Sequence, residues 1–261
     1  MKNFVPLLAL LIGGSSLWAQ TQPSPVASPT PPAVETAFAL NLEKTAPGVG
    51  PINGAWAGFP KVWKGRRASF AKTKQSDMGS VVFFGDSITE LWNTAAAFPN
   101  LKTANRGIAG DTTRGMLYRL QEDVTDLHPR LIVLLCGVND LAMPQFGGTP
   151  DAIAANVKSM LTGIRSKLPQ TPVIVCEIMP SRFAQISAAN AAVDLVLPAF
   201  PNAHRLKYYS LFLNPDGTQN KSLFKDGLHP NAAGYAVWQT ALEPEIDQLI
   251  GNQPGVAKIK L

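Results

Sequence analysis

Val81-Val82-Phe83-Phe84-Gly85-Asp86-Ser87-Ile88-Thr89-Glu90 is the stretch whose reading decides the fold. Four apolar residues run into a polar triplet and stop. A short, continuous apolar run ended by glycine predicts a strand covered on both faces, as in a parallel sheet. Gly85 lets the backbone turn sharply. The triplet then sits at the carboxyl edge of the sheet, where open α/β sheets bind ligands. There Ser87 is exposed just past the turn, and its hydroxyl can act as a nucleophile if a base is near. Taken alone, Gly-Asp-Ser reads equally well as an ordinary strand-to-loop turn. The rest of the chain has to decide.

Outward from this stretch, apolar runs alternate with helical patterns. A helix is expected over 61–72, before the first strand at 80–84. A second strand is expected at 101–104, followed by the glycine-bearing loop Asn105-Arg106-Gly107-Ile108-Ala109-Gly110-Asp111-Thr112-Thr113. Leu117, Leu120, Val124 and Leu127 then share one helical face, with Asp111 or Thr112 as the cap. The third strand, 131–136, closes on Gly137-Val138-Asn139-Asp140. Thr149-Pro150 opens the next helix as cap and first residue. Strands are expected at 173–178 and 205–209, with a helix over 185–197 between them. A last helix carries Tyr235, Trp238 and Leu242, and Pro244 is expected to break or kink it. Strands alternating with helices predict an α/β, flavodoxin-like three-layer sandwich. Its five-stranded parallel sheet has the order 2-1-3-4-5 and helices on both faces.

Composition narrows the class. The chain has 261 residues, 46% hydrophobic and 16% charged, with a formal net charge of +5. That is enough for one substantial globular domain. Basic residues are scattered; the densest group, Lys61, Lys64, Arg66 and Arg67, reads as a solvated helix face, and no nucleic-acid partner is expected. Residues 1–19 read as an export signal, with Lys2 at a positive start, an apolar core over 5–12 and a small-residue end, cut after Ala19. The apolar run is short for a bilayer span, so no stable membrane anchor is expected. Residues 20–54, rich in Pro, Ser and Thr at their start, read as a stiff linker and N-terminal extension. The catalytic domain is placed at 55–251 and a tail at 252–261. Cys136 and Cys176 both lie in apolar runs and read as buried free thiols. No Cys/His group has metal-ligand spacing, so neither a metal nor an organic cofactor is expected.

In this topology the loops after the first three strands converge on one crevice. Ser87 follows strand one, Gly110 strand two and Asn139 strand three, while Asp226 and His229 come just before the last helix. Ester hydrolysis by serine needs a base, and histidine suits neutral pH. The ring needs a partner on its other nitrogen. Asp226-Gly227-Leu228-His229 puts a carboxylate three residues before the imidazole, and a turn at Gly227 could fold one onto the other. The oxyanion of the tetrahedral intermediate needs donors. The N–H groups of Ser87 and Gly110 and the Asn139 amide could supply three. His128 and His204 precede strands, at the opposite edge of the sheet. Asp86, Asn105, Asp111 and Asp140 read as loop-holding residues. Trp92, Arg106 and Arg114 are candidates to line the crevice.

Gly85-Asp86-Ser87, Gly110 in Gly-Asp-Thr, Gly137-Val138-Asn139-Asp140 and Asp226-x-x-His229 resemble, in order, the four blocks of the SGNH (GDSL-type) hydrolase superfamily. The wider wording is similar to the branch holding the platelet-activating-factor acetylhydrolase catalytic subunits and many bacterial acyl esterases. The resemblance spans roughly 81–238. It implies a serine esterase with Ser87 as nucleophile, Asp226 and His229 as triad partners, and Ser87, Gly110 and Asn139 as oxyanion donors. Ile88-Thr89 stands where the older four-letter motif has leucine, which leaves the chemical residues intact. A conventional α/β-hydrolase would need a Gly-x-Ser-x-Gly elbow, and the chain has none. A short-acyl, acetyl-type ester, on carbohydrate or a small molecule, is the expected substrate. A lysophospholipase or thioesterase of the same fold and a non-catalytic carbohydrate-binding module are the alternatives.

Overall fold

The computed structural model describes Met1 and residues 58–143 and 148–251. The expected export signal, Pro-rich segment, first residues of the domain, C-terminal tail and the centre of the loop after Asn139 lie outside the described residues.

Five strands, β1 (Val81–Gly85), β2 (Thr103–Gly107), β3 (Leu131–Leu135), β4 (Val173–Cys176) and β5 (Ala203–Leu206), form one all-parallel sheet. Its order is β2-β1-β3-β4-β5, as the alternation of elements predicts. Every residue of β1 and β3 is buried, which is why both read as unbroken apolar runs.

Adjacent residues of β1 show the two faces, because successive side chains point to opposite sides of a strand. Phe83 packs on Trp92 and Phe98, with centroids 5.4 Å away in each case. Phe84 lies under the guanidinium of Arg119, 4.5 Å from the ring centroid, on the opposite side. Arg119 belongs to α4 (Thr113–Asp123), which packs with α6 (Pro150–Lys167); α6 in turn packs with α7 (Ile186–Val196). On the Phe83 side lies α8 (Ala232–Gly251), whose Trp238 stacks on Trp92 at 4.3 Å. The N-terminal helix α1 (Phe59–Thr73) lies against α4, and the short helices α2 (Ser87–Glu90), α3 (Thr94–Ala97) and α5 (Val138–Ala142) follow β1 and β3.

Several boundaries differ from expectation. β2 begins two residues later than expected and runs through Asn105, Arg106 and Gly107, so the first third of the predicted loop is strand. β5 is shifted toward its start and contains His204. The polar residues of these flanking strands hide them from an apolar-run search. Pro244 does not end α8, which continues to Gly251. Trp238, Leu242, Ile246 and Ile250 form one buried stripe across the proline, and that packing outweighs the missing hydrogen bond.

Register positions the site. Gly85 lies beside Gly107 on one side and Leu135 on the other. Three strands therefore end flush, and their loops leave the sheet at one level.

Candidate active site

Ser87 is the first residue of α2. Asp86 caps that helix, its Oδ1 accepting the Ile88 N–H at 2.9 Å. Close packing shapes the turn: a Cβ on Gly85 would stand 2.1 Å from Thr89 Oγ1 and 2.7 Å from the Leu135 carbonyl oxygen. Ser87 Oγ lies 2.9 Å from His229 Nε2, across 142 residues of sequence. On the ring's other side, His229 Nδ1 is 2.7 Å from Asp226 Oδ2. The structure thus brings the three expected residues into one hydrogen-bonded line.

The acid–base turn is folded locally. Asp226 Oδ1 accepts the N–H groups of Leu228 and His229 at 3.0 and 2.8 Å, and Gly227 takes a φ of 78° that favours glycine. Those backbone donors, then the ring, hold the Asp226 carboxyl well below the usual carboxylate range. The Asp226 side chain is 54% exposed and that of His229 23%, so charge attraction between them is weakened by water. Fixed geometry matters more. Gln219 Nε2 donates to the Gly227 carbonyl at 2.9 Å and to that of Pro180 at 2.7 Å. Lys225 N–H donates to the His229 carbonyl at 2.8 Å. The Tyr235 hydroxyl, on α8, donates to the Ile88 carbonyl at 2.8 Å and ties the helix after His229 to the helix of Ser87.

Asn139 is tied to Asp111, the residue after Gly110. Asn139 Nδ2 donates to the Asp111 carbonyl at 2.9 Å, and its second N–H remains for a substrate oxygen. Gly110 adopts a φ of 80°. Beneath them is a buried polar layer. Arg119 Nε donates to Asp111 Oδ2 at 2.6 Å, while its two terminal nitrogens donate to the carbonyls of Arg106 and Gly85 at 2.8 and 2.9 Å. One guanidinium therefore stitches the ends of β1 and β2 to the glycine loop. Burial pushes Asp111 up to about 6, opposed by Arg119. Asp140 accepts the Thr113 N–H at 2.9 Å and its hydroxyl at 2.6 Å, and burial raises it to about 6. Burial likewise raises Asp86 to about 7, and its Oδ2 has no hydrogen-bond partner among the described residues. Asn105 donates to the carbonyls of Thr89 and Trp92 at 2.6 and 2.9 Å. All four loop-holding residues named from the sequence thus hold turns or loops.

Two crevice-lining expectations fail. Trp92 is 5% exposed and sits in the aromatic core with Phe83, Phe98, Tyr235 and Trp238. Arg106 is 1% exposed; it turns under α1, where it bonds Asp77 at 2.9 Å and lies 4.7 Å from the centroid of Phe70. Trp92 and Arg106 are near Ser87 and Gly110 in sequence, but a strand position or a helix end sends the side chain elsewhere. Arg114 is half-buried in the first turn of α4. Arg119, Gln219 and Tyr235 were not foreseen, since nothing local marks a helix arginine or a loop glutamine as a partner of a distant turn.

Serine, histidine and aspartate in one hydrogen-bonded line are shared by esterases and proteases alike, and the reaction class, a carboxylic ester hydrolase, comes from the family. The family model for the GDSL-like lipase/acylhydrolase family matches residues 83–237, and the chain belongs to that family. The platelet-activating factor acetylhydrolase IB subunit alpha2 of Gallus gallus is 30% identical over 202 residues, covering 72% of this chain and 84% of that protein. A GDSL-like lipase of Bacteroides thetaiotaomicron superposes with a TM-score of 0.62 at 26% identity, over 71% of this chain and 97% of its own. An acetylxylan esterase of Geobacillus stearothermophilus shares the fold, with a TM-score of 0.53 at 19% identity, over 68% of this chain and 97% of its own.

Proposed function

We propose that this protein is an exported esterase that removes short acyl groups, acetyl above all, through an acyl-enzyme on Ser87. The observation that carries the mechanism is the line Ser87 Oγ–His229 Nε2–Asp226, at 2.9 and 2.7 Å. His229 takes the hydroxyl proton as Ser87 attacks the ester carbonyl, and Asp226 holds the ring's tautomer. Negative charge on the former carbonyl oxygen falls to the N–H groups of Ser87 and Gly110 and the free Asn139 amide hydrogen. The alcohol leaves with the proton from His229. Water, activated by the same ring, then releases the acid and restores Ser87.

The acyl preference is supported by the name of the 30% identical relative, an acetylhydrolase, and by the lack of a long apolar stretch between the sequence blocks. A long acyl chain needs a sizeable apolar lining. Export is supported by the basic start, short apolar core and small-residue end of residues 1–19. Carbohydrate is the proposed alcohol because an exported esterase meets acetylated polymers; the shared fold of the acetylxylan esterase does not by itself choose the alcohol. The test is kcat/KM for p-nitrophenyl esters from acetate to decanoate, with acetate release from acetylated xylan and pectin. A maximum at acetate with release from a glycan is expected. A rise toward decanoate overturns the short-acyl reading in favour of a lipid or thioester acylhydrolase. Good acetate turnover without release from any glycan overturns only the carbohydrate half.

A further inference from the structure

The segment 107–111 carries the Gly110 N–H, and its own supports can be followed peptide by peptide. The Gly107 N–H donates to Asn105 Oδ1 at 2.9 Å. The Ile108 N–H donates to the Gly85 carbonyl at 3.1 Å, and the Asp111 N–H to the Ile108 carbonyl at 3.1 Å. The Ala109 N–H donates to Glu90 Oε2 at 2.5 Å. Among the described residues, Gly110 alone in this segment has an N–H with no acceptor. The segment is thus fixed on both sides of one free donor.

One of these supports, Glu90, pairs with α1, a helix outside the residues matched by the family model, and the same helix holds the Gly107 carbonyl. Arg66 Nε and Nη2 both donate to the Gly107 carbonyl, at 3.1 and 3.0 Å. Arg66 Nε also lies 3.3 Å from Glu90 Oε1, the other oxygen of the carboxylate that receives Ala109. The guanidinium stacks on Phe70, 4.8 Å from the ring centroid. The Ile108 side chain is fully buried in a cluster with Phe59, Trp63 and Phe70, separate from the main core. The expected solvated basic face therefore turns both of its arginines into the protein, Arg66 toward Gly107 and Arg67 toward Asp123.

We propose that Arg66 is a positioning residue for the oxyanion donor Gly110. It orients the Gly107 carbonyl directly and, through Glu90, keeps an acceptor on the Ala109 N–H. Without Arg66 the Glu90 carboxylate has no cation to hold it and turns toward water, which hydrates it better. The two peptides before Gly110 then lose their side-chain supports together. Ile108 stays anchored in its apolar cluster, so the loop loosens without leaving its place. Transition-state stabilisation is sensitive to such looseness, because its donors act only when preorganised. The inference rests on Ser87 as nucleophile and Gly110 as oxyanion donor.

The experiment compares Arg66→Met, Arg66→Lys, Glu90→Met and the Arg66→Met/Glu90→Met double variant with the parent, using its best p-nitrophenyl ester. Removing an oxyanion donor outright costs roughly 10²–10³ in kcat, and loosening one should cost about tenfold. In Arg66→Met, kcat should fall by that factor with KM within about twofold, and inhibition by a boronic acid, which mimics the tetrahedral adduct, should weaken in parallel. Arg66→Lys should recover part of both, since an ammonium can donate to Gly107 and pair with Glu90. Glu90→Met should show the same signature, and the double variant should lose little more than either single one, because the two residues act as a unit. A lowered melting temperature with unchanged kcat and boronic-acid affinity would make Arg66 purely structural and overturn the proposal. So would losses that add fully in the double variant. Ser87→Ala separates the two levels: turnover surviving that change sinks the site reading itself, whereas an inactive Ser87→Ala beside a normal Arg66→Met sinks only the positioning role.

Discussion

Ser87, expected to be exposed, is only 8% exposed, and its Oγ lies within hydrogen-bond reach of His229 Nε2. Ser87→Ala should leave the fold intact and reduce turnover to the residual rate of binding and the oxyanion donors alone. A circular dichroism spectrum matching the parent, together with near-parent turnover, would contradict this. Asn139 makes a different prediction, because one of its amide hydrogens is spent on the Asp111 carbonyl. Asn139→Ala should lower kcat by roughly 10²–10³, or about 3–4 kcal/mol, with KM nearly unchanged. A change confined to KM would make Asn139 a ground-state binding residue. Asp226 is half exposed, and it makes three hydrogen bonds, one to the His229 ring and two to the backbone N–H groups of Leu228 and His229. Asp226→Asn should lower kcat by as much as roughly 10⁴ where the amide imposes the wrong tautomer.

At the scale of elements, the site depends on helices that were selected for packing. The helix α8 starts just after His229, and Asn231 Oδ1 caps its first turn by accepting the N–H groups of Ala233 and Gly234 at 3.0 and 3.1 Å. Its aromatic face meets Trp92 from the nucleophile's side of the molecule: Trp238 at 4.3 Å and Tyr235 at 5.6 Å. This stack and the Tyr235–Ile88 hydrogen bond hold His229 and Ser87 at one distance. Trp238 is fully buried, and Trp238→Ala should cost about 3–5 kcal/mol. Chemical denaturation will measure that, and activity of the still-folded fraction should fall as well, since the same stack aligns the two catalytic turns. A loss below about 1 kcal/mol would show that α8 is held elsewhere.

Four aspartates, Asp86, Asp111, Asp123 and Asp140, are buried among the described residues. Asp86, raised from an ordinary 3.8 to about 7 by burial, binds its proton more tightly folded than unfolded. A raised carboxyl contributes stability that is complete below its unfolded value and is lost as pH rises through its folded value. Asp140, raised to about 6, acts in the same direction. Unfolding free energy should therefore fall as pH rises from about 4 to about 7 through these groups. Asp86→Asn, which keeps the cap on α2, should flatten that slope, as urea titrations at about pH 5 and about pH 8 will show. An unchanged slope would place the pH dependence in other groups. Cys136 and Cys176 are both free and buried, and burial pushes Cys136 far up and Cys176 up to about 12. Native protein should react slowly with a thiol reagent, and unreduced denatured protein should show two thiols; finding none would mean a disulfide.

The sequence by itself determined the sheet, its order and the three residues that the structure brings into one hydrogen-bonded line. Two causes made these legible. The central strands are buried on both faces and so are written as unbroken apolar runs, and the chemistry is concentrated in short turns whose glycine, serine, asparagine and histidine have few substitutes. Only the tertiary structure decided which side chains support those turns. Arg66, Arg119, Gln219 and Tyr235 bond to carbonyls far away in the chain, and a carbonyl acceptor leaves no mark on the sequence because every residue has one. A different cause sent Trp92 and Arg106 away from the crevice. Which face of a strand or end of a helix a residue occupies depends on where each element starts, and a shift of one position in a strand reverses the side it faces.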